Sequence, residues 1–408
     1  MFLTRLSLTN FRIFSRLDLE IPRRVILLSG SNAQGKTSVL EAISFLATFS
    51  SFHASNDRQL LNYNLTPEPI QVGRIVADFV KGERAHTMEV RLVKEYNGNP
   101  NAPKFRKEVL LDGVKRRISD LFGQFNAVSF LPQMSKIVED GPAERRLYLD
   151  QLLCQAEPGY ARHLSNFNKA LQQRNALLKM LGEQGGDARQ LEIWDEVIAR
   201  HAAELMQARI NVLHELEYAA RPIHSKLTDG AEVLRLVYQP SYEPLPAPKG
   251  QMLLLDSQLD RSGLKVEELE NGYKVALRAN YREDINRGLT SLGPHRDEFR
   301  FFINKIDLGD FGSRGQSRTV LLSLKFAEVE WMHARTGEWP VLLLDEIMAE
   351  LDPKRRGDLI GVLDEVEQAL LTATDPEMFT SDFTQRHEIW QVKDGMVFKQ
   401  TQSEPSLG

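Results

Sequence analysis

Val25-Ile26-Leu27-Leu28-Ser29-Gly30-Ser31-Asn32-Ala33-Gln34-Gly35-Lys36-Thr37-Ser38, running on into Val39–Thr48, is the stretch that decides how this chain folds. The apolar run predicts a buried strand, Gly30 breaks it, and Gly35-Lys36-Thr37 opens an amphipathic helix. The spacing is G-x-x-x-x-G-K-T. Its glycines let successive backbone N–H groups turn inward on an anion, and the helix N-terminus adds partial positive charge. In such a loop the lysine reaches the outer phosphates and the threonine hydroxyl ligates Mg²⁺. The strand–loop–helix context separates this reading from a chance glycine loop and assigns Gly30, Ser31, Asn32, Ala33, Gln34, Gly35, Lys36, Thr37 and Ser38 to a nucleotide.

The rest of the chain sets bounds. A length of 408 residues, 42% of them hydrophobic, predicts two or three domains with ordinary cores. The single cysteine, Cys154, rules out an internal disulfide framework and a cysteine-rich zinc site, and reads as a small buried hydrophobe. The start, Met1 to Arg12, lacks the apolar core of a signal peptide, and no stretch approaches the roughly 20 apolar residues of a membrane span. A cytoplasmic protein is expected. Net charge is −5, but from Leu343 onward there are 14 acidic and 6 basic residues, leaving 45 basic against 42 acidic before it. Local basic surfaces are therefore possible.

In chain order, residues 2–10 and 15–21 alternate as two strands, with Asn10-Phe11-Arg12 between them. Residues 49–64 predict a polar loop with a short helix, and 70–80 and 86–95 the strands of a β-rich lobe extending over about 70–128. An Asn/Pro/Gly loop (97–103) precedes a hairpin over 104–118 that turns at Asp112-Gly113. Its cations Lys104, Arg106, Lys107, Lys115, Arg116 and Arg117 read either as DNA-phosphate contacts or as a solvated hairpin protecting a sheet edge. Helical spacing then governs 142–227, predicting three or four helices of an antiparallel bundle broken at Gly185-Gly186. Arg162, Lys169, Arg174 and Lys179 read as a charged solvent face or a DNA-facing one. A strand over 232–238, a proline-rich link over 240–248 and a helix over 267–287 follow.

Val341-Leu342-Leu343-Leu344-Asp345-Glu346 predicts a buried strand that delivers two carboxylates at its C-terminal end, with Glu350-Leu351-Asp352-Pro353 as a second acidic turn. In nucleotide-binding loops of this kind the first acid supports Mg²⁺, and a following acid can activate the attacking water. Residues 370–375 predict another short strand, ending near Thr374. A disordered tail is expected over 401–408.

Ser313-Arg314-Gly315-Gln316, placed before a helix predicted over 319–333, resembles the signature loop of ABC-type ATPases. The resemblance narrows with Pro132-Gln133, with Gly141-Pro142-Ala143-Glu144-Arg145-Arg146 and with Thr290-Ser291-Leu292-Gly293-Pro294-His295-Arg296-Asp297. Together with Asn10-Phe11-Arg12 and the Asn32–Thr37 loop, these motifs in this order resemble the bacterial RecF family over nearly the whole chain.

The resemblance implies an α/β fold: an ABC/SMC-like P-loop ATPase head with a β-rich lobe and an inserted helical arm. The head is expected at 1–135 with 290–400, and the arm at 136–289. It implies ATP and Mg²⁺ as cofactors and an ATP-dependent homodimer that binds double-stranded and gapped DNA. RecR, with RecO, is the implied partner, RecA being reached indirectly, in DNA repair, replication and the SOS response. ATP hydrolysis would be weak, a switch rather than a motor.

By position the resemblance carries Lys36, Asp345 and Glu346 as catalytic groups, Glu346 being the base. Thr37, Gln133 and Asp345 would serve the metal, and Arg12 and Asn32 would line the pocket. Ser313, Gly315, Gln316 and Asp352 would serve the nucleotide of the other copy, with Thr374 standing where related ATPases place a switch histidine. His53 replaces the family's usual arginine. For Arg145 and Arg146, helix-surface salt bridges compete with a functional role; for Gly293–Asp297, a turn into a strand competes with ligand contact. Competing assignments are another SMC-like ATPase, a P-loop kinase and a transporter-type ABC subunit. A kinase has no need of Ser313–Gln316, and a transporter subunit normally carries the histidine.

Overall fold

The computed structural model describes residues 1–66, 68–96, 103–245 and 260–399. Most of the loop expected at 97–103, the later part of the link at 240–248 and the tail at 401–408 lie outside the described residues. The chain divides into two compact units, Met1–Gln133 with Met332–Gly408, and Met134–Trp331.

The first unit holds two six-stranded sheets. In one, the strand order is Met396–Lys399, Glu388–Lys393, Val25–Ser29, Ala369–Ala373, Val341–Asp345, Ala127–Phe130. All neighbours are parallel except the terminal hairpin. Parallel strands covered on both faces need continuous apolar runs, and Val25–Ser29, Val341–Asp345 and Ala369–Ala373 are buried at every position. The other sheet is antiparallel, in the order Phe14–Glu20, Phe2–Phe11, Ile70–Lys81, Arg84–Glu95, Lys104–Leu111, Val114–Arg116. Its strands alternate, and Leu6, Leu8, Ile75, Ala77, Val90 and Leu92 join the helix residues Val39, Ile43 and Leu46 in one core. The hairpin turns at Asp112-Gly113 as the sequence predicts, both residues taking positive φ.

Register places the chemistry. Ser29 pairs with Ala373, Thr372 with Asp345, and Leu344 with Phe130. Four adjacent strands therefore end in one row, the edge at which open parallel sheets bind ligands.

The second unit contains the helices Pro142–Ala156, Tyr160–Gln184, Glu192–Leu227, Val266–Ala279 and Tyr281–Arg287. The helix predicted over 267–287 is broken at Asn280, whose amide bonds Asp284 and Ser291. Glu298–Ile303 pairs antiparallel with Leu234–Gln239. That long-range pairing keeps residues 290–331 with the helices, so the return to the first unit falls at Met332 rather than at the expected 290.

Three arginines of the helices are engaged inside the unit. Arg174 is no surface cation: it is fully buried between Asp195 at 2.8 Å and Asp284 at 2.7 Å, and donates to Thr290 Oγ1 at 2.8 Å. Arg145 makes no helix-surface salt bridge. It is buried, forked onto Glu298, and donates to the carbonyls of Ile137, Val138 and Asp140. Arg146 donates to the Asp297 carbonyl.

The 290–297 motif is likewise a turn into a strand, pinned from several sides. A Cβ on Gly293, which has φ +123°, would lie 2.1 Å from the Tyr273 hydroxyl, and Tyr273 donates to the Leu292 carbonyl at 2.6 Å. Arg209 donates to the Pro294 carbonyl, and Asp297 accepts from Tyr238 and from Ser241 Oγ and N. Burial pushes the His295 imidazole down to about 4. Cys154 is buried, and its thiol is pushed far up by desolvation. Among the described residues no helix is long and apolar enough to cross a membrane.

Candidate nucleotide site

The site grows from the row of strand ends. After Val25–Ser29 the chain must turn at once, and Gly30 takes φ +151° where a Cβ would sit 2.3 Å from the Val392 carbonyl oxygen. Gly35, at φ +108°, lies so close to Phe14 that a Cβ would be 2.8 Å from its ring. Only glycine fits a positive φ against such neighbours. Phe14 is buried, so the antiparallel sheet supports the loop from beneath.

Lys36, the first residue of the helix Lys36–Thr48, folds its ammonium back into the loop. It donates to the carbonyls of Gly30 at 2.7 Å and Ser31 at 3.0 Å and stands 3.4 Å from Glu346 Oε1. Thr37 Oγ1 donates to Asp345 Oδ1 at 2.9 Å. Thr372, on the neighbouring strand, donates to the same oxygen at 2.8 Å and accepts from the Glu346 backbone N–H at 2.9 Å. Glu346 itself sits at φ +50°. That uncommon backbone, in a residue at the cleft, throws its side chain toward Thr374, whose hydroxyl lies 3.1 Å from Glu346 Oε1 and 3.3 Å from Asn32 Oδ1 with one proton to share between them.

Residues 32–38, Asp345 and Glu346 line a cleft of about 960 Å³, together with Arg12, Ile13, His53, Arg58, Tyr63, Lys94, Tyr96, Pro132 and Gln133. Arg12 forks onto Glu41 at 2.6 and 2.7 Å, and Ser51 donates to the same carboxylate. His53 is tied to Ser51 through its backbone N–H. The structure thus brings Gly30–Ser38, Arg12, Gln133, Asp345, Glu346 and Thr374 together in one unit.

Sequence reasoning passed over Glu41 and Thr372. A buried acid within an apolar helix, five residues after the lysine, was the available signal for the first. For Thr372 there was none beyond its place in a short strand.

The residues present fit a nucleotide and its metal. The Lys36 ammonium rests on two loop carbonyls and Glu346, contacts that phosphate oxygens can replace. Thr37 Oγ1 and Asp345 Oδ1 form a pair of hard oxygen ligands suited to Mg²⁺. The buried Nε2 of Gln133 has no hydrogen-bond partner among the described residues, and a buried amide donor left unpaired is costly.

The remaining candidates lie elsewhere. Ser313, Gly315 and Gln316 belong to the second unit. The helix starts earlier than predicted, at Arg314, so Ser313 caps it. Ser313 Oγ accepts from the Gln316 N–H at 3.2 Å and Gln316 Oε1 accepts from the Ser313 N–H at 3.1 Å. The Ser-x-Gly-Gln motif is therefore a capping box that leaves an exposed helix N-terminus. Asp352 caps the helix Pro353–Glu365, accepting from the Arg355 N–H and pairing with its guanidinium.

Of the hairpin cations, Lys104, Arg106, Lys115, Arg116 and Arg117 are exposed. Arg106 pairs with Glu95 and Lys115 with Glu108. Lys107 departs from them: it donates to the Phe49 carbonyl at 2.6 Å and Asp57 at 2.7 Å and lies over the Phe45 ring. It fastens the sheet to the loop after the P-loop helix.

The family model of the RecF/RecN/SMC N-terminal domain matches residues 2–397. The chain is 35% identical to the DNA replication and repair protein RecF of Herpetosiphon aurantiacus, over 98% of this chain and all of that protein. It is 37% identical to the RecF of Chloroflexus aurantiacus, again over 98% of this chain and all of that one. A solved structure of the recombination mediator protein RecF with ATP, from the RecFOR pathway, superposes with a TM-score of 0.81 at 29% identity, covering 98% of this chain and 99% of that one. An SMC head bound to the winged-helix domain of ScpA shares the fold alone, at a TM-score of 0.50 and 16% identity over 99% of this chain and 98% of that one.

Proposed function

The chain belongs to the RecF family of DNA replication and repair proteins, and from that premise we propose that it is an ATP-dependent recombination mediator. It holds Mg²⁺–ATP in the cleft, pairs with a second copy upon it, and binds duplex and gapped DNA. RecR, with RecO, is its partner in helping to load RecA, in the cytoplasm. The observation that carries this reading is the convergence of Lys36, Thr37, Asp345, Glu346 and Thr374 at the ends of three adjacent parallel strands.

When bound, Mg²⁺ supplies positive charge to the outer phosphate oxygens. Thr37 and Asp345 would hold the ion, with the Gln133 amide oxygen as a further ligand, and Lys36 would bind the phosphates. Thr372 fixes both Asp345 and Glu346. Glu346 takes the proton of the attacking water, and Thr374 keeps its carboxylate in place. Ser313 and the helix N-terminus behind it close on the γ-phosphate held by the other copy. Lys104, Arg106, Lys115, Arg116 and Arg117 offer an exposed basic hairpin for DNA phosphates.

Light scattering with and without ATP and a gapped duplex tests the reading as a whole: the expected mass doubles with ATP and rises again with DNA. A monomer under all conditions overturns it. Ser313→Arg fills the exposed helix start with a bulky cation; ATP affinity is expected to stay within a few-fold while the ATP-dependent dimer is lost. A Ser313→Arg chain that still sediments as a dimer removes this loop from the interface. Glu346→Gln keeps the side-chain shape but not its basicity. Turnover is expected to fall about 100-fold, the low end for a positioned base, with the ATP-bound dimer persisting. Unchanged phosphate release takes Glu346 out of that role.

A further inference from the structure

Phe311 is 77% exposed, two residues before Ser313, and it is not on a loose loop. It ends the short helix Leu308–Phe311, which Asp307 caps by accepting from the Gly309 N–H at 2.9 Å. Arg300 ties that turn down by pairing with Asp307 at 2.6 Å and Asp310 at 3.2 Å. Gly312 donates to the Leu308 carbonyl at 2.9 Å, and a Cβ there would come within 2.5 Å of that oxygen. The Ser313–Gln316 capping box follows at once, with Gln316 bonded to Glu232 at 2.9 Å. A large aromatic is thus held out into solvent by fixed geometry on both sides, in the segment offered to the other copy.

The nucleotide cleft has a complementary feature. At about 960 Å³ it lies at the upper end for a small-molecule site. Its wall carries Ile13, Leu65 and a second exposed aromatic, Tyr63, at 77%. Arg314 is exposed in the first turn of a helix that has no acidic residue there, a cation set against the helix dipole. The cleft's own lining carries Arg12, Lys36, Arg58 and Lys94 against Asp345 and Glu346, so the anion such a cation meets there is the bound triphosphate rather than the protein.

We propose that Phe311 acts in trans, packing on the rim of the other copy's cleft beside Ile13, Tyr63 and Leu65 and covering the nucleoside held there. This rests on the ATP-bound pair proposed above and adds to it an apolar contact distinct from the phosphate contact of Ser313. The occupant of the exposed aromatic is a second copy of this chain, and ATP is sensed at both ends.

Sedimentation velocity over a protein dilution series, with saturating ATP and Mg²⁺, compares the natural chain, Phe311→Ser and Phe311→Tyr, each first titrated with a fluorescent ATP analogue. Because Phe311 is exposed, both variants are expected to melt with the natural chain and to bind the analogue equally as monomers. Phe311→Ser is expected to raise the dimer dissociation constant about 30-fold, the scale of a central aromatic anchor, and Phe311→Tyr to restore it. A Phe311→Ser constant within twofold of the natural one overturns the assignment while leaving the ATP-bound pair intact. A natural chain that stays monomeric overturns the pair itself.

Discussion

Lys36→Ala is expected to weaken ATP binding at least about 30-fold, read by titration of a fluorescent nucleotide in the presence of Mg²⁺. The ammonium is almost wholly enclosed, 4% exposed, and its contacts are the Gly30 and Ser31 carbonyls and Glu346. Those contacts are local and can be exchanged for phosphate oxygens without moving the backbone. Once the lysine is gone, the triphosphate meets the acids without the ammonium that stands beside Glu346. Removing one partner of a desolvated charge pair costs about 2–5 kcal/mol, which corresponds to roughly 30-fold to several thousand-fold in affinity. Lys36→Arg is no substitute, because a planar fork cannot enter a loop sized for one point charge. The fold is expected to survive, since the helix Lys36–Thr48 is anchored by Val39, Leu40, Ile43 and Leu46. A folded Lys36→Ala chain that binds ATP within threefold of the natural one would refute the assignment of this loop.

What could be read from the sequence was local. The loop spacing, the apolar-then-acidic run at 341–346 and the Asp112-Gly113 turn each encode their own geometry, and each appears where expected. What could not be read depends on distant partners. Periodicity reports that residue 174 lies on a helix, but whether its charge faces water depends on Asp195 and Asp284, brought in from two other helices. The same holds for Lys107, whose partners are Asp57 and a backbone carbonyl of another segment. Arg12 was placed at the pocket, yet its guanidinium is engaged by Glu41, a carboxylate concealed in the apolar face of the P-loop helix. The boundary near residue 290 failed to show because it hangs on the pairing of 298–303 with 234–239. The capping box was visible as Ser-x-Gly-Gln, but its reading as a phosphate loop drew the predicted helix start past the residues that cap it.

Arg174 carries the other large effect. It is fully buried with Asp195 and Asp284, both also buried, and Tyr281 adds its hydroxyl to Asp195. The hub joins the helices Tyr160–Gln184, Glu192–Leu227 and Tyr281–Arg287. It also reaches the 290–297 motif, through Thr290 and through Ser291, whose N–H and hydroxyl both donate to Asp284. Asn175 accepts from the Thr290 N–H and hydroxyl at 2.8 Å each, so the motif is held by adjacent residues of one helix. Leu178, Leu181 and Leu191 form a small buried cluster of their own, with Tyr281 and Ile285 packed against it. Arg174→Ala leaves two carboxylates in a dry interior with their cation removed, a change that costs about 3–5 kcal/mol. The expected result is a helical transition in urea, followed by far-UV circular dichroism, whose midpoint drops well below that of the natural chain. Arg174→Lys recovers little, because one ammonium cannot reproduce a guanidinium that bridges two acids. Replacing the arginine together with both aspartates by apolar residues should destabilise less than Arg174→Ala alone, because the penalty lies in the stranded charges rather than in the loss of the pair. If Arg174→Ala unfolds at the natural midpoint, the hub is not what holds these helices to the 290–297 turn, and the stability of this unit must rest on its apolar contacts.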